Sequence, residues 1–125
     1  MLKMIILAGS GSFIGGILRY LTQLLFSKFF SDSFPLGTLL INIIGSFLIG
    51  IIFSLSEKSD IISQEAKIFI AVGICGGFTT FSSFSIENLF LLRDGQYIQM
   101  ILYSLLSVFL GISAALAGFL LIKII

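Results

Sequence analysis

Long uncharged stretches constrain this 125-residue chain more than any other feature of its sequence. No Asp, Glu, Lys or Arg occurs at residues 33–56, 68–86 or 95–122, which are runs of 24, 19 and 28 positions. A helix needs about 20 mainly apolar residues to cross the hydrocarbon core of a bilayer. With 58% hydrophobic and 10% charged residues, a soluble domain of this size would leave too much apolar surface in water. The sequence therefore predicts an integral membrane protein.

Charged and turn-forming residues divide the chain, residues 1–125, into four predicted membrane-spanning helices in a single domain. The approximate spans are 3–30, 36–56, 66–92 and 97–123. Lipid offers no hydrogen bonds to the backbone, so only helices and closed barrels cross it, and these runs lack the short alternating pattern of barrel strands. We predict an all-α membrane bundle. We interpret residues 1–8 as the start of the first helix, since no convincing signal-peptide cleavage site follows them.

Composition argues against several classes of function. The formal net charge is only +1, whereas a nucleic-acid-binding protein carries a basic patch. There is no His, and Cys75 is the only cysteine, which excludes an intrachain disulfide and cysteine metal clusters. The sequence also shows no nucleophile paired with a base and no phosphate-binding loop. We predict that the protein is not an enzyme.

The basic residues give only a weak orientation signal. With four spans, one side of the membrane carries Lys3, Lys58, Lys67 and Lys123, and the other carries Lys28 and Arg93. Four against two is a thin positive-inside bias, and Arg19 stands near or within a span. Insertion in both orientations and insertion in one orientation both remain open on charge counting alone.

The second span carries a polar stripe. Thr38, Asn42 and Ser46 are spaced four residues apart, so they share one helix face. The Asn42 amide has donors for an anion and also an acceptor. The alternative role is helix–helix packing, in which Asn42 hydrogen-bonds a neighbouring helix.

The third span has an unusual centre. Two glycines, Gly76 and Gly77, stand shortly before Thr79 and Thr80, and this pattern predicts a break in the helix near Gly76-Gly77. A broken helix frees backbone carbonyls, which are known cation ligands at membrane depth. The alternative is an unbroken helix that uses the glycines for a close crossing.

Aromatic and hydroxyl residues follow this centre. Phe81 and Phe84 share a helix face, and the positive edges of their rings suit a small anion, although ordinary packing also explains them. On the fourth span, Tyr103 and Ser107 place two hydroxyl groups on one face. Arg19 either reaches an interface, pairs with a carboxylate or forms a positively charged vestibule.

Three segments together are similar to the Fluc/CrcB family of fluoride ion channels. They are Gly15-Gly16-Ile17-Leu18-Arg19-Tyr20, Gly37-Thr38-Leu39-Leu40-Ile41-Asn42-Ile43-Ile44-Gly45 and Gly73-Ile74-Cys75-Gly76-Gly77-Phe78-Thr79-Thr80-Phe81-Ser82-Ser83-Phe84. The Gly-Gly-x-Thr-Thr-Phe-Ser-x-Phe run is the most specific part of this resemblance, which covers the whole chain.

The resemblance implies an antiparallel, dual-topology homodimer in the cell membrane. Each dimer would hold two separate pathways for the passive export of fluoride, which lowers cytoplasmic fluoride. It also implies a structural Na⁺ ion at the dimer centre, held by the main-chain carbonyls of Gly76 and Thr79. Asn42, Phe81 and Phe84 would contact fluoride.

The resemblance further assigns a polar track on the fourth span to Tyr103 and Ser107. Ser83 keeps a hydroxyl where the family has Thr, and Thr38 belongs to the same set of pathway residues. Gly111 stands where the family often has another serine, which leaves the far end of the track without a hydroxyl from this helix.

Two other classes remain open. A small multidrug exporter has a similar length and four helices, but it needs an acidic residue within the membrane, and the first span has none before Asp32. A non-transporting membrane scaffold needs only small-residue packing faces, and it has no need of a broken helix. Substitution of Phe81 separates a scaffold, which tolerates it, from a fluoride pore, which loses flux.

Overall fold

The computed structural model describes residues 1–31, 33–58 and 61–125, all of whose regular elements are helical. Four helical spans are long and apolar enough to cross a membrane: Leu2–Phe29, Leu36–Lys58, Gln64–Arg93 and Tyr97–Ile124. This confirms the predicted all-α architecture with four spanning helices. Asp32, Ser59 and Asp60, which fall between the predicted spans, lie outside the described residues.

The first, second and fourth spans are continuous helices, α1 (Leu2–Phe29), α2 (Leu36–Lys58) and α6 (Tyr97–Ile124). The third span is composite. Its first half, residues 64–78, consists of α3 (Gln64–Lys67), a π-helix (Ile68–Cys75) and α4 (Gly76–Phe78). Its second half is α5 (Phe81–Arg93).

The interruption of the third span lies at Thr79 and Thr80, whose backbones are extended (φ −75°, ψ 158° and φ −152°, ψ 124°). The sequence analysis placed the break near Gly76-Gly77, but Gly76 has right-handed helical dihedrals (φ −63°, ψ −37°). Gly77 serves packing instead, since a Cβ atom there would overlap the backbone of Ser12. The break therefore lies three residues further along the chain, at two β-branched residues, although Thr is a better helix former than Gly.

Local sequence explains where the helices begin and end. The Ser63 hydroxyl accepts a hydrogen bond from the Ala66 amide at 3.1 Å and caps α3. The Thr80 hydroxyl accepts from the Ser83 amide at 3.2 Å and caps α5. Gly95, at φ +73°, makes the tight turn between α5 and α6 that a residue with a Cβ would resist.

Small residues bring the helices together. A Cβ atom at Gly11 or Gly15 of α1 would overlap backbone of the first half of the third span. A Cβ at Gly50 of α2 would overlap the Ala115 carbonyl of α6, and one at Gly118 would overlap the Phe47 carbonyl. Lipid removes most of the hydrophobic drive for association, so such backbone contact is what lets membrane helices gain dispersion energy.

Because the helices pack so closely, little space remains between them for large side chains. Tyr103, Ile41, Cys75 and Ser54 are the largest fully buried side chains. Tyr103 joins Leu39 and Leu91 in a cluster that ties α2, α5 and α6 together. The outer faces of the helices carry exposed Leu, Ile and Phe side chains, as expected for surfaces that face lipid.

Candidate functional site at the helix interruption

A cavity of about 360 Å³ lies beside the interruption of the third span. Its walls come from α2, from the interruption, from the start of α5 and from α6. Among the residues singled out from the sequence, it brings together Asn42, Thr79, Phe81, Phe84 and Ser107. Three spans of the chain thus contribute to one site, hereafter the interruption cavity.

Asn42 is the residue that holds the interruption in place. Its Nδ2 donates to the Thr80 carbonyl at 3.0 Å, and its Oδ1 accepts from the Thr80 amide at 2.8 Å. The Thr80 N–H therefore points to Asn42 instead of to the carbonyl of Gly76, the residue four positions earlier that a continuous helix would pair with it. One amide hydrogen of Asn42 remains for another acceptor.

Thr80 was not singled out as a site residue from the sequence, although its neighbours were. It is 8% exposed, and its hydroxyl lies 3.2 Å from the Ser82 hydroxyl and donates to the Ser83 hydroxyl at 3.2 Å. A threonine directly before a helix is a capping signal that identifies this role. Ser83, predicted to belong to the pathway, is bonded to Thr80 and is absent from the cavity wall.

Ser107 supplies a hydroxyl group with unused hydrogen-bonding capacity. Its Oγ is buried and has no hydrogen-bond partner in the part of the chain that the structure describes. A buried polar atom left in this state costs about 1–3 kcal/mol. Gly111, one turn further along α6, also lines the cavity, and a Cβ there would lie 3.8 Å from the Ser46 hydroxyl of α2. The wall at Gly111 thus faces a hydroxyl from α2.

The two phenylalanines differ in their surroundings. Their ring centroids are 5.6 Å apart, with an angle of 38° between the ring planes. Phe84 also packs on the buried Tyr103 ring at 5.1 Å, whereas Phe81 is 78% exposed. Both line the interruption cavity, and the Phe81 ring lies at the surface of the chain.

Thr38 and Tyr103 meet the carboxylate of Glu87, which directly follows the uncharged run of residues 68–86. The Thr38 hydroxyl donates to Glu87 Oε1 at 2.6 Å, and the Tyr103 hydroxyl donates to Glu87 Oε2 at 2.7 Å. Thr38 and Glu87 line a second cavity of about 300 Å³, next to the residues that connect α1 and α2. Tyr103 and Phe84 lie between the two cavities, since the Tyr103 ring packs on Phe84 while its hydroxyl reaches Glu87.

The Arg19 side chain reaches the interruption of the third span. Its Nη1 donates to the Thr79 carbonyl at 3.2 Å, and the side chain is half-buried.

The other carbonyl that the resemblance assigned to a cation belongs to Gly76, which lies on an exposed face of the third span. In the described residues no cluster of three or more His, Cys, Asp or Glu side chains is placed to hold a metal. A cation site here would consist of neutral main-chain oxygens, the donor type that suits Na⁺.

Comparisons with known proteins extend over nearly the whole chain. A family model described as CrcB-like protein, Camphor Resistance (CrcB), matches residues 6–119. A protein named fluoride-specific ion channel FluC from Azobacteroides pseudotrichonymphae genomovar. CFP2 is 44% identical over 121 residues, 97% of each chain. A protein of the same name from Campylobacter jejuni (strain 81-176) is 46% identical over 123 residues, 98% of this chain and 100% of the relative. One from Leptospira interrogans (strain 56601) is 44% identical over 121 residues, 97% of this chain and 95% of the relative.

Proposed function

The chain belongs to the CrcB family, and from this premise we propose that it is a fluoride-selective channel through which fluoride leaves the cell passively. Such a channel lowers cytoplasmic fluoride. The four spanning helices and the family make the chain a multi-pass protein of the cell membrane. Its curated relatives are named as ion channels and not as enzymes, exporters of drugs or scaffolds.

One observation supports the proposal most directly, namely that the interruption cavity is lined by neutral anion-binding groups. It combines the Asn42 amide, the unpartnered Ser107 hydroxyl and the rings of Phe81 and Phe84. Fluoride is small and strongly hydrated, so its pathway must replace water with close donors. Conduction also requires weak binding at several sites. Polar hydrogens and the positive edges of phenyl rings meet both needs without a fixed charge in the cavity wall.

We assign Thr38 and Tyr103 to the next stage of the same pathway. Their hydroxyl groups donate to Glu87, and the Tyr103 ring packs on Phe84, which lines the interruption cavity. An anion at this level would compete with the Glu87 carboxylate for two hydroxyl donors. Ser83, bonded to Thr80 at the start of α5, supports the pathway from outside the cavity wall.

We further propose that the functional unit is an antiparallel, dual-topology homodimer with two pathways. Phe81 is 78% exposed and borders the open side of the interruption cavity, so one chain does not enclose a pathway. The neighbouring Ser82 and Ser85 are also exposed at membrane depth, where a polar surface favours contact with protein. The thin bias of Lys and Arg is compatible with insertion in both orientations.

A structural Na⁺ ion at the dimer centre completes the proposal. The Gly76 carbonyl loses its helical donor, because the Thr80 N–H is bonded to Asn42. Gly76 and Thr79 would hold the ion through their main-chain oxygens. The ion would supply positive charge where the first half of the third span ends.

The channel is tested by fluoride efflux from liposomes that contain the purified protein. Opening a potassium path with valinomycin should release fluoride and leave chloride inside. Asn42→Ala should abolish the flux, because it removes an anion donor and the support of the interruption. Ser56→Ala on the same helix is the matched control, since among the described residues that hydroxyl donates to the Phe53 carbonyl of its own helix. Absence of fluoride efflux from folded, reconstituted protein would refute the proposed function.

A further inference from the structure

Arg19 contacts the third span where its first half ends. Its guanidinium donates to the carbonyl of Thr79, the residue that follows α4. In the described part of the chain the ion pairs are Lys3 with Glu65 and Arg93 with Asp94. No described carboxylate therefore forms an ion pair with Arg19, and its charge is directed at a backbone oxygen.

Backbone packing determines where Arg19 stands. Gly11 and Gly15 bring α1 into backbone contact with the first half of the third span, around Gly73 and Ile74. Arg19 comes one helical turn after Gly15, so it lies on the same face of α1. This geometry delivers the guanidinium to the interruption.

The end of a helix is a favourable place for a positive charge. The last carbonyls of residues 64–78 carry the partial negative charge of the helix dipole. Asn42 removes the next backbone donor, the Thr80 N–H, from these carbonyls. Arg19 supplies both a hydrogen bond and a positive charge at this end, whereas a bound cation would supply positive charge and coordinate the carbonyl oxygens directly.

We infer that Arg19 is a tethered cation that shares the Thr79 carbonyl with the central Na⁺ ion and lowers the affinity of the protein for that ion. The inference rests on the sodium site in the proposed function. Two positive charges a few ångströms apart repel each other strongly in a partly buried site. A carbonyl that already accepts a hydrogen bond from a guanidinium is also a weaker ligand for Na⁺. Arg19 is thus a positioning residue for the interruption, and it reduces the dependence of the fold on sodium.

The test measures thermal unfolding of the purified full-length protein across a series of NaCl concentrations, with N-methylglucamine chloride holding the ionic strength constant. In Arg19→Gln we expect half-maximal stabilisation at a Na⁺ concentration about tenfold lower than in the wild type. We also expect a lower Tm without Na⁺ and recovery towards the wild-type Tm at high Na⁺. Arg19→Lys retains the charge, so the Na⁺ concentration that half-maximally stabilises it should stay within about twofold of the wild-type value.

Lys28→Gln is the matched control, because Lys28 is an exposed cation on the same helix and lies in the last turn of α1. The Na⁺ concentration that gives half-maximal stabilisation should be the same in Lys28→Gln as in the wild type. The inference would be overturned if Arg19→Gln needed the same or a higher Na⁺ concentration for half-maximal stabilisation. It would also be overturned if Arg19→Lys or Lys28→Gln shifted this concentration as much as Arg19→Gln does. Absence of any sodium effect on the wild type would also overturn it.

If Arg19→Gln folds poorly, a second neutral variant still tests the inference. Arg19→Met, which retains an apolar stem, should regain a cooperative unfolding transition as Na⁺ increases, and failure of high Na⁺ to restore it would count against the inference. Fluoride efflux of the wild type is measured on the same preparation. Loss of that efflux refutes the channel, whereas an unchanged sodium response of Arg19→Gln refutes the role of Arg19 alone.

Discussion

The side-chain amide of Asn42 binds both backbone polar groups of Thr80, with its Nδ2 donating to the carbonyl and its Oδ1 accepting from the N–H. One residue of α2 thereby replaces the hydrogen bond that the Thr80 N–H would make to Gly76 in a continuous third helix, and it adds a donor to the Thr80 carbonyl. The same residue lines the interruption cavity. The break in the helix and the wall of the proposed pathway therefore depend on a single side chain.

Asn42→Asp should separate these two roles. The aspartate retains an acceptor for the Thr80 N–H but loses the donor to the Thr80 carbonyl, so the variant should unfold more easily by about 1–2 kcal/mol. Its negative charge repels anions, and we expect fluoride efflux to fall by more than tenfold. Thermal unfolding and efflux from liposomes measure the two effects. Wild-type flux in a folded Asn42→Asp protein would contradict the assignment of Asn42 to the pathway.

Phe81→Leu should reduce fluoride efflux by about tenfold or more and leave the stability of the chain nearly unchanged. The ring is 78% exposed, so its removal opens little core space, while the positive ring edge is lost from the cavity wall. Phe109→Leu on α6 is the control, because that ring is 71% exposed and does not line the cavity. Equal fluxes in the two variants would favour a scaffold over a pore.

Tyr103→Phe should destabilise the protein by about 1–3 kcal/mol, because the buried hydroxyl no longer donates to Glu87 Oε2. We also expect a several-fold loss of fluoride efflux, since the ring is kept and only a donor of the proposed pathway is removed. Tyr97→Phe, at an exposed position in the first turn of α6, is the control and should behave like the wild type. Unchanged flux in Tyr103→Phe would place this hydroxyl outside the pathway.

Gly15→Ala and Gly16→Ala should differ sharply although they are neighbours. A Cβ at Gly15 would overlap the Ile74 carbonyl, whereas a Cβ at Gly16 would meet nothing within 4 Å. We expect Gly15→Ala to lower stability by at least about 1–3 kcal/mol through overpacking. Gly16→Ala should be neutral or slightly stabilising, since Ala is the better helix former. Thermal unfolding compares them, and equal stabilities would contradict the close packing of α1 on the third span.

The spanning helices could be predicted from the sequence. Burying a charge in lipid is costly, so membrane-spanning segments occur in the sequence as long uncharged runs. The family could also be predicted from the sequence, because each of its motifs is a short continuous segment. The position of the interruption was not predictable from local residues. Gly76 and Gly77 are the weaker helix formers, yet the backbone leaves the helix at Thr79 and Thr80. A glycine that contacts another helix gains packing energy that offsets its low propensity.

The tertiary structure alone decided the roles of Glu87, Arg19 and Asn42. The partners of Glu87 lie 16 and 49 positions away, that of Arg19 lies 60 positions away and that of Asn42 lies 38 positions away. Hydropathy and helical periodicity report which residues face the same side of one helix. They carry no information about which polar groups of different helices meet, since that depends on how the glycine contacts bring the helices together. The sequence therefore determined that the chain crosses the membrane four times, and helix packing determined which groups of the other helices its polar side chains bind.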